Sequence, residues 1–132
     1  MVETESGRRG RGDRGGGPIE FAIVLPLLLT LVFTLAHLGL FFLGRQAALS
    51  TAQIAVDGER AYGAPAGSGL VRAERFLANA PAWLNDVEII VDNDGEMVTA
   101  TVTGTTPEII PGLRMTVQQT AVGPVERITE IP

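Results

Sequence analysis

From Phe21 to Leu43 the chain reads FAIVLPLLLTLVFTLAHLGLFFL, without a single Asp, Glu, Lys or Arg. With Ile19 and Glu20 the run is about 25 residues, and as a helix it extends about 37 Å, enough to cross a hydrocarbon layer of about 30 Å with some tilt. It shows no amphipathic period. A helix that is apolar all round needs lipid or a large core around it. A chain of 132 residues with 16 glycines cannot supply such a core. A removable secretory signal fits less well, because its apolar region is about 7–15 residues long and ends at small residues. Here Gly44-Arg45-Gln46 follow instead. The run therefore predicts a retained transmembrane helix.

Arginine orients it. All ten basic residues are arginine, and Arg8, Arg9, Arg11 and Arg14 precede the run while Arg45 alone lies just after it. The positive-inside rule places the N-terminus in the cytoplasm and the rest of the chain on the far side of the membrane. That remainder is acidic, with Asp57, Glu59, Asp86, Glu88, Asp92, Asp94 and Glu96 contributing to a net charge of -5. An acidic body lacks the basic face that phosphate binding needs, so nucleic acid is not an expected partner. The chain has no cysteine and one histidine, His37. This excludes a disulfide framework, a cysteine-based zinc site and a thiol nucleophile. With no phosphate-cradling glycine motif and no Ser/His/Asp set outside the run, the chain reads as a non-enzyme with no cofactor, no metal and no small-molecule substrate.

Beyond the run, RQAALSTAQIAVDGERAY (45–62) holds good helix formers, with Leu49, Ala52 and Val56 at helical spacing. The helix is expected to continue outward until Gly63-Ala64-Pro65-Ala66-Gly67-Ser68-Gly69 ends it. A second, short helix is expected over 70–80, with Leu70, Ala73 and Leu77 on one face and Pro81 as its stop. Trp83 and Leu84 then seal the junction. Val87, Ile89 and Val91 alternate with polar positions, Asp92-Asn93-Asp94-Gly95 makes a turn, and Val98 to Thr103 alternate again, which is a hairpin. The turn echoes a fragment of a calcium loop but lacks the remaining ligand spacing. Leu113, Met115 and Val117 suggest a third strand after a connector over 107–112. The expected fold is α+β: a long N-terminal transmembrane helix extending outward, then a short helix packed on a three-stranded antiparallel sheet. Its parts are a cytoplasmic Arg/Gly-rich leader (1–18), the transmembrane helix (19–43), a helical extension (44–62) and a small extracytoplasmic α+β domain (63–132).

Three residues of the run call for separate accounts. Pro26 removes a backbone donor and predicts a mild kink, which membrane helices tolerate. His37 can stay neutral by bonding a carbonyl one turn back. Glu20 is costly in lipid unless it is near the interface, neutral or paired, and the helix N-terminus favours its charge. In Gly15-Gly16-Gly17-Pro18-Ile19-Glu20-Phe21, a cut after Gly15 makes Glu20 the fifth residue of the product and frees an amine to pair with it. This arrangement resembles the processing site of type IV prepilins, and Glu20-Phe21 resembles the Glu-Tyr pair of the Flp subclass.

The whole layout resembles the TadE-like family of pilus-assembly proteins, associated with Flp (tight-adherence) pili. The residues that carry the likeness are Ile19-Glu20-Phe21-Ala22, Val24-Leu25-Pro26-Leu27-Leu28, Gly44-Arg45-Gln46-Ala47 and Ala55-Val56-Asp57-Gly58-Glu59-Arg60-Ala61. The last is similar to the family's Ala-x-x-Gly-Ala-Arg segment, with Glu59 in place of the usual small residue. The resemblance implies a minor pseudopilin of a Flp/Tad-type secretion or adhesion system, handled by a prepilin peptidase at Gly15, Gly16, Glu20 and Phe21. Its partners would be the lipid bilayer and other pilin-like or pilus-assembly subunits. Two alternatives stand beside it: a single-pass, membrane-anchored envelope-binding domain with no pilus role, and an accessory subunit of a transporter or enzyme whose Glu20 and His37 meet a partner helix.

Overall fold

The computed structural model describes residues 17–127. The chain divides into two compact units between Thr34 and Leu35. One helix, α1 (Gly17–Arg60), contributes residues to both.

In the first unit, residues 17–34 are all helical and all exposed. Ile19, Phe21, Ile23 and Leu27 each leave about two thirds or more of their surface open, from 66% to 72%. Pro18 enters at the start of the helix, where its missing N–H costs nothing. Pro26 lies inside the helix, so the ladder loses one donor there. Two hydroxyls turn inward onto the same ladder. Thr30 Oγ1 donates to the Pro26 carbonyl at 2.8 Å and Thr34 Oγ1 to the Thr30 carbonyl at 2.7 Å. Both threonines thus satisfy their donors without water, as an apolar surrounding requires.

The second unit joins the remainder of α1 to α2 (Ser68–Asn79), β1 (Asn85–Asn93), β2 (Met97–Thr105) and β3 (Thr116–Pro124). The strands form an antiparallel sheet in the order β1-β2-β3. Its core comprises Ala48, Ala52, Ala55 and Val56 of α1, Ala73 of α2, Val98, Ala100 and Val102 of β2, and Val117 of β3. The long helix is therefore the main cover of the sheet, and α2 adds a smaller part over β1. Small side chains on both surfaces let helix and sheet approach closely. A Cβ at Gly123 would lie 2.8 Å from Val56 Cγ1. The central strand β2 alternates along its length, with Val98, Ala100, Val102 and Gly104 buried. On the opposite surface Thr101 and Thr120 are register partners, and their hydroxyls bond at 3.2 Å.

The α+β architecture matches the expectation, as do α2 and the hairpin. The third strand is displaced. It was expected around Leu113, Met115 and Val117 but begins at Thr116 and runs to Pro124. Val117 keeps the inward phase, pairing with Gly104, while Leu113 is 41% exposed in the preceding loop. In the missed part, Gln118 to Gly123, the glycine lies under α1, where a Cβ would come within 2.8 Å of Val56 Cγ1, and Val122 faces outward, 57% exposed.

Candidate functional site

The described residues place the sequence candidates as follows. Glu20 lies in the first turn of α1, exposed, on the end of the helix that favours negative charge. Phe21 is 72% exposed beside it. Pro26 lies a turn and a half further on, inside the helix. Gly15, Gly16 and the arginines of the leader lie outside the described residues. Glu20 to Ala36 are exposed without interruption, and an 18-residue window of α1 reaches a mean hydropathy of 2.4 with none of it buried. Among the described residues this is one helix long and apolar enough, by length and composition, to cross a membrane.

His37 is where exposure stops. It is buried, and neither ring nitrogen meets a hydrogen-bond partner among the described residues. The carbonyl bond expected for it is not made. Seven residues later Gly44 is buried against the sheet's near end, and a Cβ there would lie 3.2 Å from the Trp83 carbonyl oxygen and 3.3 Å from Thr106 Cγ2. Trp83 and Leu84 are both half-buried, and Leu84 Cδ2 would lie 3.3 Å from a Cβ at Gly44.

The other end of α1 is a polar clasp that the sequence did not disclose. Gly58 packs against Gly69 of α2, where a Cβ on Gly58 would lie 2.9 Å from the Gly69 Cα. A Cβ on Gly69 would collide with the Ala55 carbonyl oxygen. Glu59 accepts from the Gly67 N–H at 3.2 Å and the Gly69 N–H at 3.1 Å, capping α2 with a side chain from a different helix. Ser68 Oγ donates to the Gly58 carbonyl at 2.8 Å. Arg60 pairs with Asp57 at 2.9 Å, and its carbonyl accepts from the Glu126 N–H at 2.9 Å. Glu59, the departure from the small residue of the resembling segment, is thus a structural cap. The only sequence signal for it was the glycine-serine-glycine start of α2, which offers free N–H groups without a cap of its own.

Two further carboxylates are committed to backbone. Asp94 Oδ1 accepts from the Met97 N–H at 2.7 Å and the Glu96 N–H at 2.8 Å, and these bonds hold its carboxyl below the ordinary value. The turn therefore uses Asp94 on itself, which is the plain-turn reading of Asp92 to Gly95. Glu108 is likewise held low, first by the Gly112 N–H and then by Arg114, whose Nε lies 3.2 Å away. A groove of about 630 Å³ beside α2 is lined by Leu70, Leu77, Leu84, Val87 and Ile89, with Glu74 as its one charged lining residue.

Residues 17–57 match the family model for TadE-like proteins. This stretch of the chain is TadE-like. No curated protein and no solved structure matches the chain. The TadE-like stretch covers α1 almost to its end: the exposed apolar residues, the Ala48/Ala52/Ala55 surface laid on the sheet, and Asp57. It stops just before Gly58 and Glu59, so the clasp onto α2 and the whole sheet lie beyond it.

Proposed function

We propose that the chain is a membrane-anchored, TadE-like pilus-assembly protein acting as a minor pseudopilin of a Flp/Tad-type secretion or adhesion system. The observation that carries this reading is the coincidence of the TadE-like match with a helix whose first half is apolar and wholly exposed. Such a surface is stable in lipid or against other helices of the same kind and in little else. In this reading residues from about 19 to 43 span the bilayer, the Arg8–Arg14 cluster stays in the cytoplasm, and the acidic α+β domain stands beyond the membrane. The role is structural rather than catalytic. The helix is the packing and extraction element, and the domain presents the surface met by other subunits.

A prepilin peptidase would cut after Gly15. The reaction is hydrolysis of one peptide bond, leaving Gly16 with a free amine and Glu20 as the fifth residue. That amine, on the same subunit or its neighbour, would neutralise Glu20 within the helix array. The first experiment is mass measurement of the mature N-terminus in cells that hold the cognate peptidase. A chain beginning at Gly16 is expected, and an intact leader contradicts the processing. Glu20→Ala is expected to insert normally but to lower pilus output; unchanged output removes the pairing role.

A further inference from the structure

We propose that the loop Glu108–Arg114, together with the turn at Trp83, is a second membrane contact that seats the domain on the lipid interface where α1 enters it. The proposal rests on the membrane reading of α1 and adds a surface of the second unit to it. Within that unit the helix begins apolar and open. Leu35, Leu38, Phe42 and Leu43 are 58%, 45%, 57% and 44% exposed, and the first charge after them is Arg45. The level at which this apolar stretch ends is fixed to two loops by Gly44, which abuts the Trp83 carbonyl and Thr106.

The chain leaving Thr106 reads Pro107-Glu108-Ile109-Ile110-Pro111-Gly112-Leu113-Arg114. Ile109 and Leu113 are 38% and 41% exposed, so the loop that leaves Thr106, the residue abutting Gly44, offers aliphatic side chains to its surroundings. It is held in shape from within. Glu108 accepts from both the Gly112 N–H and Arg114 Nε, and the Leu113 N–H donates to the Ile110 carbonyl at 3.0 Å. A loop ordered in this way presents its apolar tip without an ordering cost at contact. Trp83 is half-buried in the adjoining turn, and tryptophan is favoured at the boundary between lipid and water. Arg45 is exposed directly after Gly44 and suits lipid phosphates, whereas Arg114 is already paired with Glu108. The other end of the sheet is polar, with Asp92, Asn93, Asp94 and Glu96 exposed at the hairpin turn. The loop leaves Thr106, which abuts Gly44 directly after the exposed Leu35, Leu38, Phe42 and Leu43 of the same unit, and this adjoining apolar surface selects the bilayer as its occupant over a soluble partner.

The chain has no cysteine of its own, so single spin labels can be placed on the full protein in phosphatidylcholine–phosphatidylglycerol vesicles. Ile109→Cys and Leu113→Cys are compared with Leu31→Cys in the apolar run and Asn93→Cys at the hairpin turn. Relaxation by oxygen is measured against relaxation by a water-soluble nickel chelate. The expected result is that labels at 109 and 113 favour oxygen, as at 31, while the label at 93 favours nickel. Labels at 109 and 113 that behave like 93 while 31 remains in lipid overturn this inference and leave the membrane reading standing. Water exposure at 31 overturns both. Protection at 109 and 113 that disappears as protein is diluted into excess lipid identifies a second copy as the cover and also overturns the proposal.

Discussion

Gly58 and Gly69 meet where α1 ends and α2 begins, and neither has room for a methyl group. Alanine raises helix propensity by about 1 kcal/mol over glycine, but overpacking a close contact costs about 1–3 kcal/mol. The clash should win at Gly69, where the obstacle is the Ala55 backbone rather than a flexible side chain. Gly69→Ala is therefore expected to lower the unfolding free energy of the domain. Gly39→Ala, where a Cβ meets nothing within 4 Å, is expected to be tolerated; equal effects in denaturant titrations would contradict this account. By propensity alone a glycine at 58 is a weak point of a helix. Its real reason is a residue eleven positions away, which no local pattern could supply. His37 makes the opposite case. Its burial leaves two nitrogens without partners among the described residues, and an unpaired buried polar group costs about 1–3 kcal/mol. His37→Leu is expected to hold or raise stability by up to that amount. A clear loss in the same titration would show that the imidazole makes a bond after all.

At the scale of elements, the turn after β1 and the loop before β3 each depend on an ionised carboxylate. Asp94 and Glu108 are both held below their ordinary values of 3.8 and 4.5. A depressed carboxylate contributes stability that is fully present above the ordinary value and is lost as pH falls through the lower, folded-state value. Backbone exchange protection in residues 94–97 and 108–114 should thus fall below about pH 4 before the sheet itself unfolds. Asp94→Asn should flatten this response at the hairpin turn, and an unchanged pH profile would contradict the assignment. The hairpin was legible because Val87-Ile89-Val91 and Val98-Ala100-Val102 alternate cleanly around Asp94-Gly95. β3 was misplaced because its inward positions after Val117 are Gln119, Ala121 and Gly123. At Gly123 the missing side chain reflects the closeness of α1, a tertiary fact that overrides strand propensity.

For the whole molecule, the α+β plan, the long apolar helix and the TadE-like character of its start could all be read from the residues. Pro26, Glu20 and the uncharged apolar run from Phe21 to Leu43 are local features that need no tertiary partner to be recognised. The alanine surface from Ala48 to Ala55 and the Glu59 cap could not be read in the same way, since their meaning lies in what they touch. The central claim is that α1 crosses a bilayer and holds the acidic domain on its far side. It is tested most directly by adding a membrane-impermeant maleimide to intact spheroplasts expressing the Glu96→Cys chain. Labelling at position 96 before lysis is the predicted result. Labelling only after the membrane is broken would contradict it.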